Sequence, residues 1–274
     1  MYKRQGIGAI EAAIEYFISY YRIPVSQLLP YNALIVPFAY FFYHNTNKPT
    51  GAKQKYLQDY FWRCALSGRF SSSVETKLGQ DVKRIDAILN EELPKYDWTI
   101  DISEEGIINH GWFSAGRSYI KAILCIYAYQ QPKSFNDGSL VNISNYWLKQ
   151  ANSKNYHHFF PKAYLAKQNT DFFHVNHIAN ITIVDDFLNK REIGAKSPAF
   201  YMRKFIKQNE DIETTMKSHL INDLEAFGIL ENDYDRFFEK RIIAIHKELK
   251  KRIILQDSDE ITNVSLPSNE DTVE

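Results

Sequence analysis

What the chain has little of narrows its chemistry first. It has only two cysteines, Cys64 and Cys125, in 274 residues, too few for a disulfide framework or a thiolate zinc site and in keeping with a reducing compartment. It has no excess of charge: 33 Lys and Arg stand against 33 Asp and Glu. No global field therefore draws it to nucleic acid or anionic lipid, and any such partner must meet a local patch. It has no long apolar run either. The most apolar stretch, Leu28 to Tyr43, is broken by Pro30, Asn32 and Pro37 and falls short of the ~20 residues of a membrane-spanning helix, so it reads as buried core. The first residues lack the apolar block and small-residue cleavage site of a secretory signal, and a cytoplasmic protein without membrane attachment is expected. Several catalytic alphabets are also missing. Gly6-Ile7-Gly8 has no third glycine and no preceding strand, and there is no Gly-Lys-Ser/Thr phosphate loop and no Gly-x-Ser-x-Gly elbow.

Aromatic residues are abundant. Eighteen Phe and eighteen Tyr in a chain that is 45% hydrophobic supply large buried surfaces and argue against global disorder. The length fits one large domain or two closely packed ones. Ile7, Ile10, Ile14, Phe17, Ile18 and Tyr21 recur at spacings of three and four, which predicts an opening helix with these residues on one apolar face. Further helices are expected over Ala33 to Tyr43, Lys53 to Ser67, from Ser72 or Ser73 to Asn90, and Ser114 to Tyr129. Near Gln150 the texture changes. Tyr156 to Tyr164 is aromatic and His-rich, Ile178 to Val184 is short and β-branched, and helical spacing resumes from Asp186 and again over Asp233 to Leu255. The expected fold is mainly α (α+β). A bundle-like helical part over 1–150 precedes a region over 151–256 with two short strands and C-terminal helices. The last segment, 257–274, carries six acids and no base and reads as a disordered tail.

Four of the eight histidines, His157, His158, His174 and His177, fall within twenty-one residues. Tyr156-His157-His158-Phe159-Phe160-Pro161 is followed by Ala179-Asn180-Ile181-Thr182 and then by Leu188-Asn189-Lys190. The gaps leave room for a hairpin and the first turns of a helix. Neighbours on a strand point to opposite faces, so two adjacent histidines there can hold two different jobs. From Lys190 to Lys207, Lys190, Arg191, Lys196, Arg203, Lys204 and Lys207 face Glu192 alone, a local excess of positive charge suited to a phosphate backbone.

The order His-His, Asn, Asn resembles the HNH, or ββα-metal, nuclease motif. With Val175-Asn176-His177-Ile178 and Leu188-Asn189-Lys190-Arg191-Glu192-Ile193-Gly194, it resembles the C-terminal nuclease half of the GmrSD-type restriction proteins. Leu29-Pro30-Tyr31-Asn32-Ala33-Leu34 and Arg69-Phe70-Ser71 resemble the segment that precedes that nuclease, so the likeness spans most of residues 6 to 207. The resemblance implies a ββα-metal fold and metal-dependent hydrolysis of DNA phosphodiesters in restriction or antiviral defence. It assigns His158 as general base, Asn180 as the brace of the loop that aims it, and His157 and Asn189 as metal ligands. Lys190, Arg191 and Lys196 become phosphate contacts. Mg²⁺ is the implied cation. His157 stands where the family commonly has an acid, which lowers the charge of the site and widens the choice to Mn²⁺, Ni²⁺ or Zn²⁺. The implied partners are DNA, a separate ParB-like nucleotide-dependent subunit, and a second copy of the chain for cutting both strands.

Blander readings accompany these. The four histidines could build a structural zinc site, the basic run could be a solvated helix face, and Arg69 and Ser71 fit a helix-start turn. Against the nuclease stands a second function: a catalytically inactive helical module for binding proteins or nucleic acid, with the nuclease fold kept for structure. A toxin-like RNase is a third reading, separable by substrate.

Overall fold

Alanines at 9 and 13 set the approach of the first two helices. In the computed structural model, which describes residues 2–143, 156–184, 192–257 and 259, α1 (Tyr2–Ser19) packs along α2 (Ile35–His44). Ala9, Ala13, Tyr16 and Phe17 are turned inward. The small side chains let the helices close, and the rings then interlock: Phe17 lies 4.6 Å from Phe38 between centroids, and Tyr21 stacks on Phe61 at 4.4 Å. This corrects the expected face of α1. Phe17 and Tyr21 are buried, but Ile7, Ile10, Ile14 and Ile18 remain 42–53% exposed. Both sides of the helix are apolar, so spacing alone cannot choose between them. The side carrying the aromatic rings buries the larger surface and wins.

Four more helices complete the first half: α3 (Gly51–Leu66), α4 (Val74–Leu89), α5 (Glu104–His110) and α6 (Ser118–Tyr129). α5 was not expected, being short and set in a polar stretch. It starts because the Ser103 hydroxyl accepts from the Gly106 N–H at 2.9 Å, with Glu104 and Glu105 in its first turn. The central helix α6 buries Ile120, Ile123, Leu124, Cys125 and Tyr127.

Two three-residue strands follow, β1 (Tyr156–His158) and β2 (Ile181–Ile183), paired antiparallel with His157 opposite Thr182 and His158 opposite Ile181. Between them lie α7 (Lys162–Ala166) and α8 (Phe172–Val175). Beyond them run α9 (Pro198–Gln208), α10 (Ile212–Lys217) and α11 (Tyr234–Lys250). The protein is thus mainly helical with a small antiparallel pair, as the spacing predicts. Among the described residues no helix is long and apolar enough to cross a membrane.

One hydrophobic cluster runs from Ala9 to Ile253 and passes through both sides of residue 150. Polar bonds cross as well. Arg63 pairs with Asp59 in α3 and with Asp259, and the Ile254 N–H donates to Asp59 at 2.8 Å. The opening of the acidic stretch is therefore fastened to α3, while 258 and 260–274 lie outside the described residues.

At the centre sits Arg241 of α11, wholly buried. It donates to the carbonyls of Ala179 (3.1 Å), Ile181 (2.9 Å) and His219, and its guanidinium lies 4.7 Å over the ring of Tyr127. Arg241→Met leaves those carbonyls without their donor, and is expected to cost about 3 kcal/mol of unfolding free energy in urea titrations. A loss below about 1 kcal/mol would show that water or rearrangement replaces the clamp.

Candidate active site

The geometry of the site starts from Asn180, fully buried in the turn before β2. Its carboxamide oxygen accepts from the Phe160 N–H at 2.8 Å. Its amide donates to the carbonyls of Phe160 and Val175, each at 3.0 Å, and its own carbonyl accepts from the Phe159 N–H at 2.8 Å. One side chain thereby ties the end of β1 to the end of α8. Only a residue with both donor and acceptor on a short stem can make this set.

On β1 the two histidines diverge as alternation requires. His157 is 3% exposed, and its backbone carbonyl accepts from the Thr182 hydroxyl at 3.4 Å. His158 is half-buried, with Nε2 3.1 Å from the Asn176 Oδ1. The tautomer follows from the next bond. The Asn176 amide donates to the Phe113 carbonyl at 3.1 Å, and reversing it would set two acceptors face to face. Oδ1 therefore faces His158, Nε2 carries the proton, and Nδ1 keeps its lone pair. Burial above all, and then the Lys162 ammonium, lower the His158 pKa from 6.5 to about 4, with the bond to Asn176 opposing both. His158 is neutral at physiological pH.

Asn176 is itself held by a strap from the helical half. The Phe113 N–H donates to the Asn176 carbonyl at 2.9 Å, and the Ile178 N–H donates to the Gly111 carbonyl at 2.7 Å. Gly111 is there because nothing larger fits: a Cβ on it would stand 1.8 Å from the His177 Nε2. Both nitrogens of His177 are engaged, Nδ1 accepting from the Ala179 N–H at 3.0 Å and Nε2 bonded to the Ile108 carbonyl at 3.1 Å. His174 pairs with Asp171 on the surface. The four histidines thus do not converge, and among the described residues no three His, Cys, Asp or Glu side chains gather as a metal site. The four-histidine zinc reading is set aside on this ground.

Of the residues singled out from the sequence, His157, His158 and Asn180 come together on the hairpin. Lys196 lies on the approach to α9, exposed, its Nζ donating to the Glu192 carbonyl at 2.9 Å. Asn189, Lys190 and Arg191 lie outside the described residues. The described residues hold one member of the implied metal pair, the His157 imidazole. A lone imidazole does not make a divalent site, and the chemistry these described residues offer rests on His158 and its supports. Sequence reasoning missed Asn176, Gly111 and Arg241. Asn176 stood beside His177 in a quoted segment, but nothing in one sequence separates a turn asparagine from one that aims an imidazole. Cys64 and Cys125 are buried, and burial pushes both thiols up, which leaves neither as a nucleophile.

The chain is 26% identical over 222 residues to a protein of Methanocaldococcus jannaschii described only as uncharacterized, matching 73% of this chain and 36% of that one. The match spans little more than a third of the relative's length. No family model matches the chain, and no solved structure matches it.

His158, His177 and His219 each have a pKa lowered from 6.5 to about 4 by burial. The unfolded chain therefore binds more protons than the folded one below pH ~6.5, and stability falls as pH drops from there towards 4 and levels off below. Each histidine accounts for up to about 3 kcal/mol across that window. Thermal melts should show Tm declining between pH 6.5 and 4.5; a flat Tm would contradict the buried neutral state. Gly111→Ala is expected to displace His177 and destabilise the fold by about 2 kcal/mol or more, read in the same melts.

Proposed function

We propose that this protein is a metal-dependent endonuclease that hydrolyses DNA phosphodiester bonds in the prokaryotic cytoplasm, in restriction or antiviral defence. The observation that carries the reading is His158: a neutral imidazole whose Nε2–H is fixed on Asn176 and whose Nδ1 lone pair is left for a proton. That is the arrangement a general base needs, with geometry set before substrate arrives. In this mechanism Nδ1 takes a proton from water as its oxygen attacks phosphorus in line. A pKa near 4 makes a weak base in the resting protein, but a phosphodiester anion drawn alongside favours the imidazolium and raises that value. Asn180 keeps β1 and the turn in register so that the lone pair does not wander.

A divalent cation, Mg²⁺ or a softer Mn²⁺, Ni²⁺ or Zn²⁺, would be held by His157 and Asn189 and would offset charge on the phosphoryl group and the departing oxygen. Lys190, Arg191 and Lys196 would contact phosphates beside it. A separate ParB-like nucleotide-dependent subunit is the proposed regulator, and a homodimer would cut both strands.

Purified protein with plasmid DNA in Mg²⁺, Mn²⁺, Ni²⁺ or EDTA tests this. Metal-dependent nicking is expected, with His158→Ala slower by about 100-fold or more and its melting curve retained. Equal cutting by His158→Ala would remove the base. No cutting by the wild type with any metal, alone or with the partner subunit, would favour the inactive helical module. Asn176→Asp sets a carboxylate against Nε2, so the His158 pKa rises and the acid limb of kcat/KM moves to higher pH by about one unit or more. An unmoved limb would detach Asn176 from the chemistry.

A further inference from the structure

α9 has two faces of opposite character. Tyr201, Met202 and Phe205 are buried, and the Tyr201 hydroxyl donates to the carbonyl of Phe159, the residue after His158. The other face carries Phe200, Arg203, Lys204 and Lys207, spaced i, i+3, i+4, i+7, all exposed. Phe200 is 63% exposed, and the Lys196 ammonium lies 5.8 Å from its ring centroid. A cavity of about 580 Å³ opens beside it, lined by Ser197, Ala199, Arg203 and Asn232 together with the stripe; its size is within the about 300–1,000 Å³ of small-ligand sites. Glu192, paired with Lys204, is the one acid among these groups.

A bare phenyl ring set among cations is poorly matched to water and to an apolar partner alike. It matches a ligand with a flat π-face between negative charges. Double-stranded DNA offers phosphates to the cations but keeps its bases stacked within, whereas an unpaired nucleotide offers both base and phosphates. We infer that the outer face of α9 is a binding site for an unpaired nucleotide, its base stacked on Phe200 and its flanking phosphates met by Arg203, Lys204 and Lys207. The inference rests on the nuclease reading and adds its substrate class: strands with unpaired or extruded bases near the cut. The Tyr201 hydroxyl ties α9 to the Phe159 carbonyl, one residue past β1, which fixes the place of the site beside the hairpin.

The test is fluorescence anisotropy in EDTA, with a labelled single-stranded oligonucleotide and the duplex of the same sequence. The wild type should bind the single strand the more tightly of the two at moderate salt. Phe200→Ala and Phe200→Leu should each weaken single-strand binding by about tenfold and leave the duplex within about twofold, since stacking is lost and charge is kept. Phe200→Trp should retain the affinity. Lys204→Ala/Lys207→Ala should weaken both substrates and flatten the salt dependence. The inference is overturned if the wild type shows no preference for the single strand, or if the Phe200 variants bind as the wild type does. Cleavage plays no part in this readout, so loss of the nuclease reading in the plasmid assay and loss of the α9 site are separate results.

Discussion

A guanidinium buried among carbonyl oxygens holds this molecule to one arrangement. Burial disfavours the charge of Arg241 and lowers its pKa, yet arginine does not give up its proton in a protein interior. The charge must therefore be met where it stands, and Ala179, Ile181 and His219 turn their carbonyls onto it while the Tyr127 ring covers its face. Two of those carbonyls flank Asn180. The turn that carries the brace is thus gripped from behind by α11, and the Tyr127 hydroxyl adds a bond to the Ile178 carbonyl at 3.0 Å. A helix more than fifty residues downstream in the chain is in this way part of the machinery that sets His158.

The supports of the site come from both sides of the chain. Asn180 fixes the backbone of β1 from within the hairpin, and Asn176 fixes the imidazole, but Asn176 is held by Phe113 and the strap by the fit of Gly111 on His177. The change of texture near residue 150 marks where the sequence shifts from helical spacing to strands. It does not mark a seam in the bonding: Gly111–Phe113 on one side and Arg241 on the other converge on the same turn. Such convergence is what would hold the proposed base to within about 0.5 Å of its working geometry.

How much of this was legible depended on whether the signal was local. Helical spacing found α2, α3, α4, α6 and α11 because each repeats its apolar residues over nearly three turns or more. α5 spans two turns and shows itself only through the Ser103 cap, so its residues read as irregular. The face of α1 was misread because isoleucines and aromatics share the helix and only packing decides between them. At the site, the His-His pair and Asn180 were visible as a pattern of residue types in order. Their supports were not, since Asn176, Gly111 and Arg241 matter through contacts made across the fold: Asn176 reaches back to Phe113, and Arg241 reaches in from α11.

The neutral balance of the whole chain and the low pKa of His158 bear on the same question, how the proposed site could respond to one kind of ligand. With charges cancelled overall, attraction to phosphate would have to come from a local patch such as the basic stretch around α9. In the resting protein His158 is surrounded by burial and by the Lys162 ammonium, both of which oppose a further positive charge. Under the proposed function, a phosphate anion placed there would reverse the balance: it would pair with Lys162, offset the charge that His158 gains, and raise its basicity at the moment a proton must be taken. Binding and activation of the base would then be one electrostatic event. The desolvation that weakens the imidazole in the free protein is what strengthens its coupling to the bound anion.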